Sequence, residues 1–130
     1  LSMEEESCLT ICEEQFQVVS IFAMNLQLTV IYISSDANKG DVTKELRKIV
    51  DVNFPQLILG DFNFHHEDNN CLTNFLRGLE LSQVVTEPTH IAGRTLDQVY
   101  VSKEIHEKVS LDVQFKYYSD HSALQIKLKE

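Results

Sequence analysis

The apolar positions along this chain fall into short dense runs separated by polar turns. Gln17–Ala23 (QVVSIFA) and Gln27–Ser34 (QLTVIYIS) are rich in Val, Ile, Phe and Tyr, which predicts two strands. Met24-Asn25-Leu26 between them reads as a tight hairpin turn. Leu9–Glu14 is a weaker strand or a lead-in segment. Ser34–Gly40 reads as a loop, and Asp41–Val52 places Val42, Leu46, Ile49 and Val50 at helical spacing, with Asp41 as the expected N-cap. Pro55 stops that helix, and Gln56–Gly60 (QLILG) is a short apolar strand of the kind buried on both faces. After a polar loop over Asp61–Asn70, Cys71–Gly78 predicts a short helix with Gly78 as its terminating glycine. Val84–Thr86, Gln98–Val101, Leu111–Phe115 and Ala123–Leu128 predict further strands, and Lys103–Lys108 a helical turn. Strands interleaved with few helices give an α/β (α+β layered) domain.

Length and charge narrow the function classes. The 130 residues suit one domain, with no repeat, low-complexity tract or Pro/Gly/Ser linker. Lys plus Arg is 11 against 20 Asp plus Glu, a net charge of −9. That sign argues against a nucleic-acid coater held by phosphate contacts alone. An enzyme that handles phosphate through a bound cation stays open, because the cation is then the largest local positive charge. No apolar run has the length of a membrane span, and the acidic start Leu1-Ser-Met-Glu-Glu-Glu lacks the order of a signal peptide. Three unevenly spaced cysteines (Cys8, Cys12 and Cys71) do not make a disulfide framework and suit a reducing interior, cytoplasmic or nuclear.

Three stretches carry candidate chemistry, each beside a predicted strand. Gly60-Asp61-Phe62-Asn63 follows the apolar strand; a carboxylate and an amide two residues apart there form either a metal- or phosphate-facing pair or a simple turn. Asp97 opens the strand Gln98–Val101, where it can orient a histidine or act as a cap. Ser119-Asp120-His121 precedes the last strand; adjacent Asp and His point different ways, so one can hold a metal while the other handles a proton.

With GDFN at 60–63, LDQVYVS at 96–102 and SDH at 119–121, the sequence resembles the endonuclease/exonuclease/phosphatase superfamily of metal-dependent phosphodiesterases. The wider runs PTHIAGRTLDQVYVS (88–102) and YYSDHSALQIKL (117–128) are most similar to endonuclease domains of transposable elements, both retrotransposons and rolling-circle transposons. The resemblance runs from Gln17 to the C-terminus, with residues 1–16 as a lead-in. It implies that Asp61 activates the attacking water or helps hold a metal, that Asn63 donates to the scissile phosphate, and that His121 contacts the phosphate and exchanges a proton. It further implies that Asp97 fixes the His121 tautomer and that Asp120 is a metal ligand. Arg94, Thr95 and His90 would lie on the rim facing phosphate or DNA. The oxygen ligands imply Mg²⁺ or Mn²⁺.

A complete domain of that superfamily is a four-layer αββα sandwich of two similar halves, about twice this length. The chain resembles the C-terminal half, residues 17–130, built around a mixed, mainly antiparallel sheet. Its first 16 residues contain no Asn-then-Glu motif to supply the principal metal-binding Glu. DNA is therefore the expected partner of the completed domain, and the isolated chain is expected to have reduced or no nuclease activity. The strands Val18–Ala23, Leu28–Ile33 and Leu57–Leu59 are apolar on consecutive positions, a pattern that expects cover on both faces, while the two helices suffice for one. A homodimer or a separate N-terminal half is the expected cover of the second face, and the competing function is a non-enzymatic interaction or dimerisation module, or a phosphatase or non-DNA phosphodiesterase of the same superfamily.

Overall fold

The computed structural model describes residues 8–23, 25–64, 68–84, 97–114 and 123–128. A six-stranded sheet has the order β1-β2-β3-β4-β6-β5: β1 Cys8–Cys12, β2 Phe16–Ala23, β3 Leu26–Ile33, β4 Gln56–Asp61, β5 Ser82–Gln83 and β6 Asp97–Val101. Every pair is antiparallel except β3–β4, which is parallel. A parallel pair needs a crossover, and α1 Lys39–Ile49 supplies it between β3 and β4. Helix α2 Cys71–Gly78 follows β4, and a 3-10 helix spans Lys103–Lys108. β7 Val109–Gln114 and β8 Ala123–Leu128 pair antiparallel as a separate two-stranded ribbon. Its register sets Val109, Leu111 and Val113 opposite Leu128, Ile126 and Leu124.

One face of the six-stranded sheet lies under the helices. Phe16, Val18, Ile31, Ile33, Ile58 and Tyr100 from the strands pack with Val42, Leu46 and Ile49 of α1 and Leu72 and Leu76 of α2. Leu46, Leu72 and Leu76 are fully enclosed, each side chain contributing roughly 2 kcal/mol of transfer free energy. Among the described residues the opposite face is covered at one end only, where Leu26, Leu57, Val99 and Val101 pack with Ile105 of the 3-10 helix. Further along that face Val19, Val30 and Tyr32 remain 41%, 46% and 48% exposed, so the consecutive apolar pattern is not fully buried among the described residues.

Polar side chains inside the sheet bond to one another and to the end of α1, apart from Gln56 Oε1, which is buried without a hydrogen-bond partner among the described residues. The buried Gln27 amide donates to Ser20 Oγ (2.8 Å) and to the Ile49 carbonyl (2.9 Å), and accepts from the Asp51 N–H (2.9 Å) and Gln56 Nε2 (2.9 Å). A strand glutamine thereby closes the C-terminus of the crossover helix.

The predicted elements recur with three local corrections. The N-cap of α1 is Asn38, whose side chain accepts from the Asp41 N–H (3.1 Å); Asp41 lies in the first turn, so the helix begins earlier than expected. Gly78 is the last residue of α2, but the left-handed conformation falls on Glu80 (φ 60°), after the cap Leu79. The strand expected over Val84–Thr86 pairs instead at Ser82–Gln83; residues 85 and 86 lie outside the described residues.

Candidate functional site

β4 ends in a sharp backbone device. Gly60 has φ 147°, and a Cβ there would sit 1.8 Å from the Ile31 carbonyl oxygen of β3. Only glycine permits so close an approach of the two strands. The kink ends the strand at Asp61, whose register partners are Tyr32 on β3 and Asp97 on β6. Asp61 thus sits in one row between a half-exposed phenol and a second acidic residue.

The turn beyond it is pinned from several sides. The Asp61 carboxylate accepts the Asn63 backbone N–H (3.0 Å), closing a local turn. Asn63 takes a left-handed φ of 52°, and its Nδ2 donates to the Ile33 carbonyl at the end of β3 (2.6 Å). Phe62 and Phe64 flank it as buried plugs, edge to face at 5.8 Å, and Phe62 meets the Tyr100 ring at 5.4 Å. Gln98, fully buried on β6, donates from Nε2 to the Phe64 carbonyl (2.6 Å) and accepts from the Tyr100 hydroxyl on Oε1 (2.5 Å). Burial holds the Tyr100 phenol far above its ordinary pKa, only partly offset by the Arg77 charge, so it stays a donor. Lys39 of α1 stands 5.6 Å from the Phe64 ring centre.

Of the predicted site residues, Asp61 and Asn63 come together in this turn, and Asp97 takes the ladder position opposite Asp61. His121, Asp120, Arg94, Thr95 and His90 lie outside the described residues. Among the described residues no three His, Cys, Asp or Glu side chains gather as a metal cluster. The turn presents one carboxylate and one carboxamide, hard oxygen donors of the sort Mg²⁺ or Mn²⁺ takes sparingly alongside water. Cys12 and Cys71 are exposed free thiols away from this turn. The sequence did not single out Tyr32, Gln98 or Tyr100. Tyr32 and Gln98 reach the site through strand register, and only their place at strand ends hinted at it.

Comparison with known proteins places the chain in a family. The chain resembles the endonuclease domain of TRAS1, a telomere-specific non-LTR retrotransposon, with TM-score 0.69 and 14% identity over 96% of this chain and 69% of that one. It also resembles an endonuclease/exonuclease/phosphatase from Beutenbergia cavernae, with TM-score 0.61 and 16% identity over 87% of this chain and 39% of that one. The cytolethal distending toxin of Haemophilus ducreyi gives TM-score 0.61 and 13% identity over 100% of this chain and 60% of the toxin chain. The chain thus spans less than two thirds of the length of two of these three structures, and at such identities the likeness is one of fold. No curated protein matches the chain. Residues 26–125, most of the chain, match the family described as endonuclease-reverse transcriptase. With that match and the shared α/β fold, the chain belongs to the endonuclease-reverse transcriptase family of the endonuclease/exonuclease/phosphatase superfamily.

Proposed function

We propose that this chain carries the phosphodiester-hydrolysing half-site of a DNA endonuclease. The observation that supports it most is Asp61, set at the kinked end of β4 beside Tyr32 and opposite Asp97. At directly paired ladder positions the backbone brings these two acidic residues into one row at the strand ends. That pairing suits a site that handles phosphate beside a cation or a histidine.

In this reading Asp61 takes a proton from water as the water oxygen bonds to phosphorus, in line with the leaving sugar oxygen. The bond to that oxygen breaks, and the oxygen takes up a proton from solvent. The second N–H of the Asn63 amide and the half-exposed Tyr32 phenol donate to non-bridging phosphate oxygens, and catalysis comes mainly from positioning and charge. His121 and Asp97 form the proton-handling pair of the family resemblance, and Asp61 and Asp120 would hold the metal. A bound Mg²⁺ or Mn²⁺ supplies charge to the phosphate and the leaving oxygen.

The test is nicking of supercoiled plasmid with Mg²⁺ and with EDTA, for the wild type, Asp61→Asn and His121→Ala. Loss of nicking in both variants at unchanged thermal stability is the expected result. Nicking that survives in both folded variants removes the assignment.

A second reading is favoured by the uncovered apolar stretch at Val19, Val30 and Tyr32. There the chain acts as an interaction module whose open face binds a second copy. Sedimentation equilibrium at micromolar concentration tests this reading. A monomer that binds no hydrophobic dye excludes the module, and a dimer supports it.

A further inference from the structure

The geometry points to Gln98 and Tyr100 as positioning residues that fix the Asp61–Asn63 turn. The inference rests on the phosphodiesterase reading and names which side chains give that site its shape.

Gln98 follows Asp97 on β6 and is the register partner of Gly60, so one strand places both the acidic residue opposite Asp61 and the amide beneath the turn. Its amide is fully enclosed and bonded at both ends, to the Phe64 carbonyl and the Tyr100 hydroxyl. The hydroxyl determines which way the amide faces. With Oε1 occupied by a donor, Nε2 is turned to Phe64; the reverse orientation would set two carbonyl oxygens against each other. The buried phenol keeps its proton, so the orientation is stable across the neutral range. The Tyr100 ring meanwhile rests on Phe62, which separates Asp61 from Asn63. One tyrosine therefore holds the turn twice: its ring packs on Phe62, and its hydroxyl orients the amide that holds Phe64.

Without these anchors the turn keeps Asn63 on Ile33 but loses its hold at Phe64. The turn that carries the Asp61 carboxylate then shifts by fractions of an ångström. A displacement of about 1 Å from the reacting atoms costs on the order of a hundredfold in rate.

Two variants test this. Gln98→Met keeps the volume and removes the amide; Tyr100→Phe keeps the ring and removes the hydroxyl. Each is measured by plasmid nicking and by amide hydrogen exchange at Asn63, referenced to α1 amides that report global opening. We expect Gln98→Met to lower kcat about tenfold or more with KM within about twofold, and Tyr100→Phe to lower it by about threefold. The Asn63 amide exchanges faster in both, while the α1 amides keep their rates. Gln98→Glu, which cannot donate at neutral pH, does not rescue. Unchanged exchange at Asn63, or unchanged kcat in folded Gln98→Met, overturns the inference. If the wild type does not nick, as a chain that carries half of the site allows, the exchange measurement alone decides whether the two residues hold the turn.

Discussion

Replacing Gly60 by alanine probes the join between fold and site directly. The added methyl carbon would lie 1.8 Å from the Ile31 carbonyl oxygen, 2.8 Å from its carbonyl carbon and 2.9 Å from its nitrogen. All three are backbone atoms of the neighbouring strand, so no side-chain rotation relieves the contact. The carbon must retreat by more than an ångström, which opens β3 from β4 at the base of the Asp61 turn. A non-glycine residue at φ 147° adds roughly 1–3 kcal/mol of backbone strain. Loss of about two ladder hydrogen bonds adds roughly 1 kcal/mol each. The sum is about 3–5 kcal/mol, a large share of the roughly 5–15 kcal/mol that holds an ordinary domain together. Urea denaturation followed by circular dichroism should show a midpoint lowered in proportion, with the slope unchanged. A Gly60→Ala protein within about 1 kcal/mol of wild type would mean that β3 and β4 do not approach as described.

Three further outcomes follow from separate features. Gln27→Leu removes the partners of the Ile49 carbonyl and the Asp51 N–H and should destabilise the chain by about 2–4 kcal/mol in the same titration; a neutral effect would show that those groups find other partners. Asn70→Ala deletes the bonds to the Leu72 and Thr73 N–H groups and should cost about 1 kcal/mol, with faster amide exchange confined to the first turn of α2. Tyr100 binds its proton more tightly folded than unfolded, so its contribution is complete below the unfolded pKa of about 10 and declines as pH rises above it. Wild type should therefore lose stability above about pH 10 more steeply than Tyr100→Phe, and parallel curves would argue against a buried phenol.

Much of the architecture was legible because its causes are local. The apolar runs at Gln17–Ala23 and Gln27–Ser34 and the short connection Met24-Asn25-Leu26 between them are the pattern of a hairpin, and the two strands pair antiparallel up to Ala23 and Leu26. The span Cys71–Gly78 was bounded correctly, since Asn70 caps one end and the apolar spacing stops at the other. The start of α1 was misplaced because Lys39-Gly40 reads as loop, whereas Asn38 already accepts the Asp41 N–H. Ser20, Gln27 and Thr29 are polar letters in buried strands, and only the folded chain shows their partners. Asp61 and Asn63 could be picked out because turn chemistry is local. The parts of Tyr32, Gln98 and Tyr100 could not, because they depend on strand register and on contacts with the turn beyond β4.

The strand order has a consequence for how the molecule assembles. β1, β2 and β3 are successive neighbours joined by short connections, so their ladders close small loops and can form early. The β4–β6 ladder joins Leu57 to Val101 and must close a much longer loop, at greater entropic cost. The Asp61 turn depends on that ladder, because Gln98 reaches Phe64 only from β6. The meander can therefore bury Phe16, Val18 and Ile31 against α1 while the turn is still loose. The Asp61 turn takes its final shape with the docking of β6, so a chain emerging from the ribosome holds much of its core before it holds that turn.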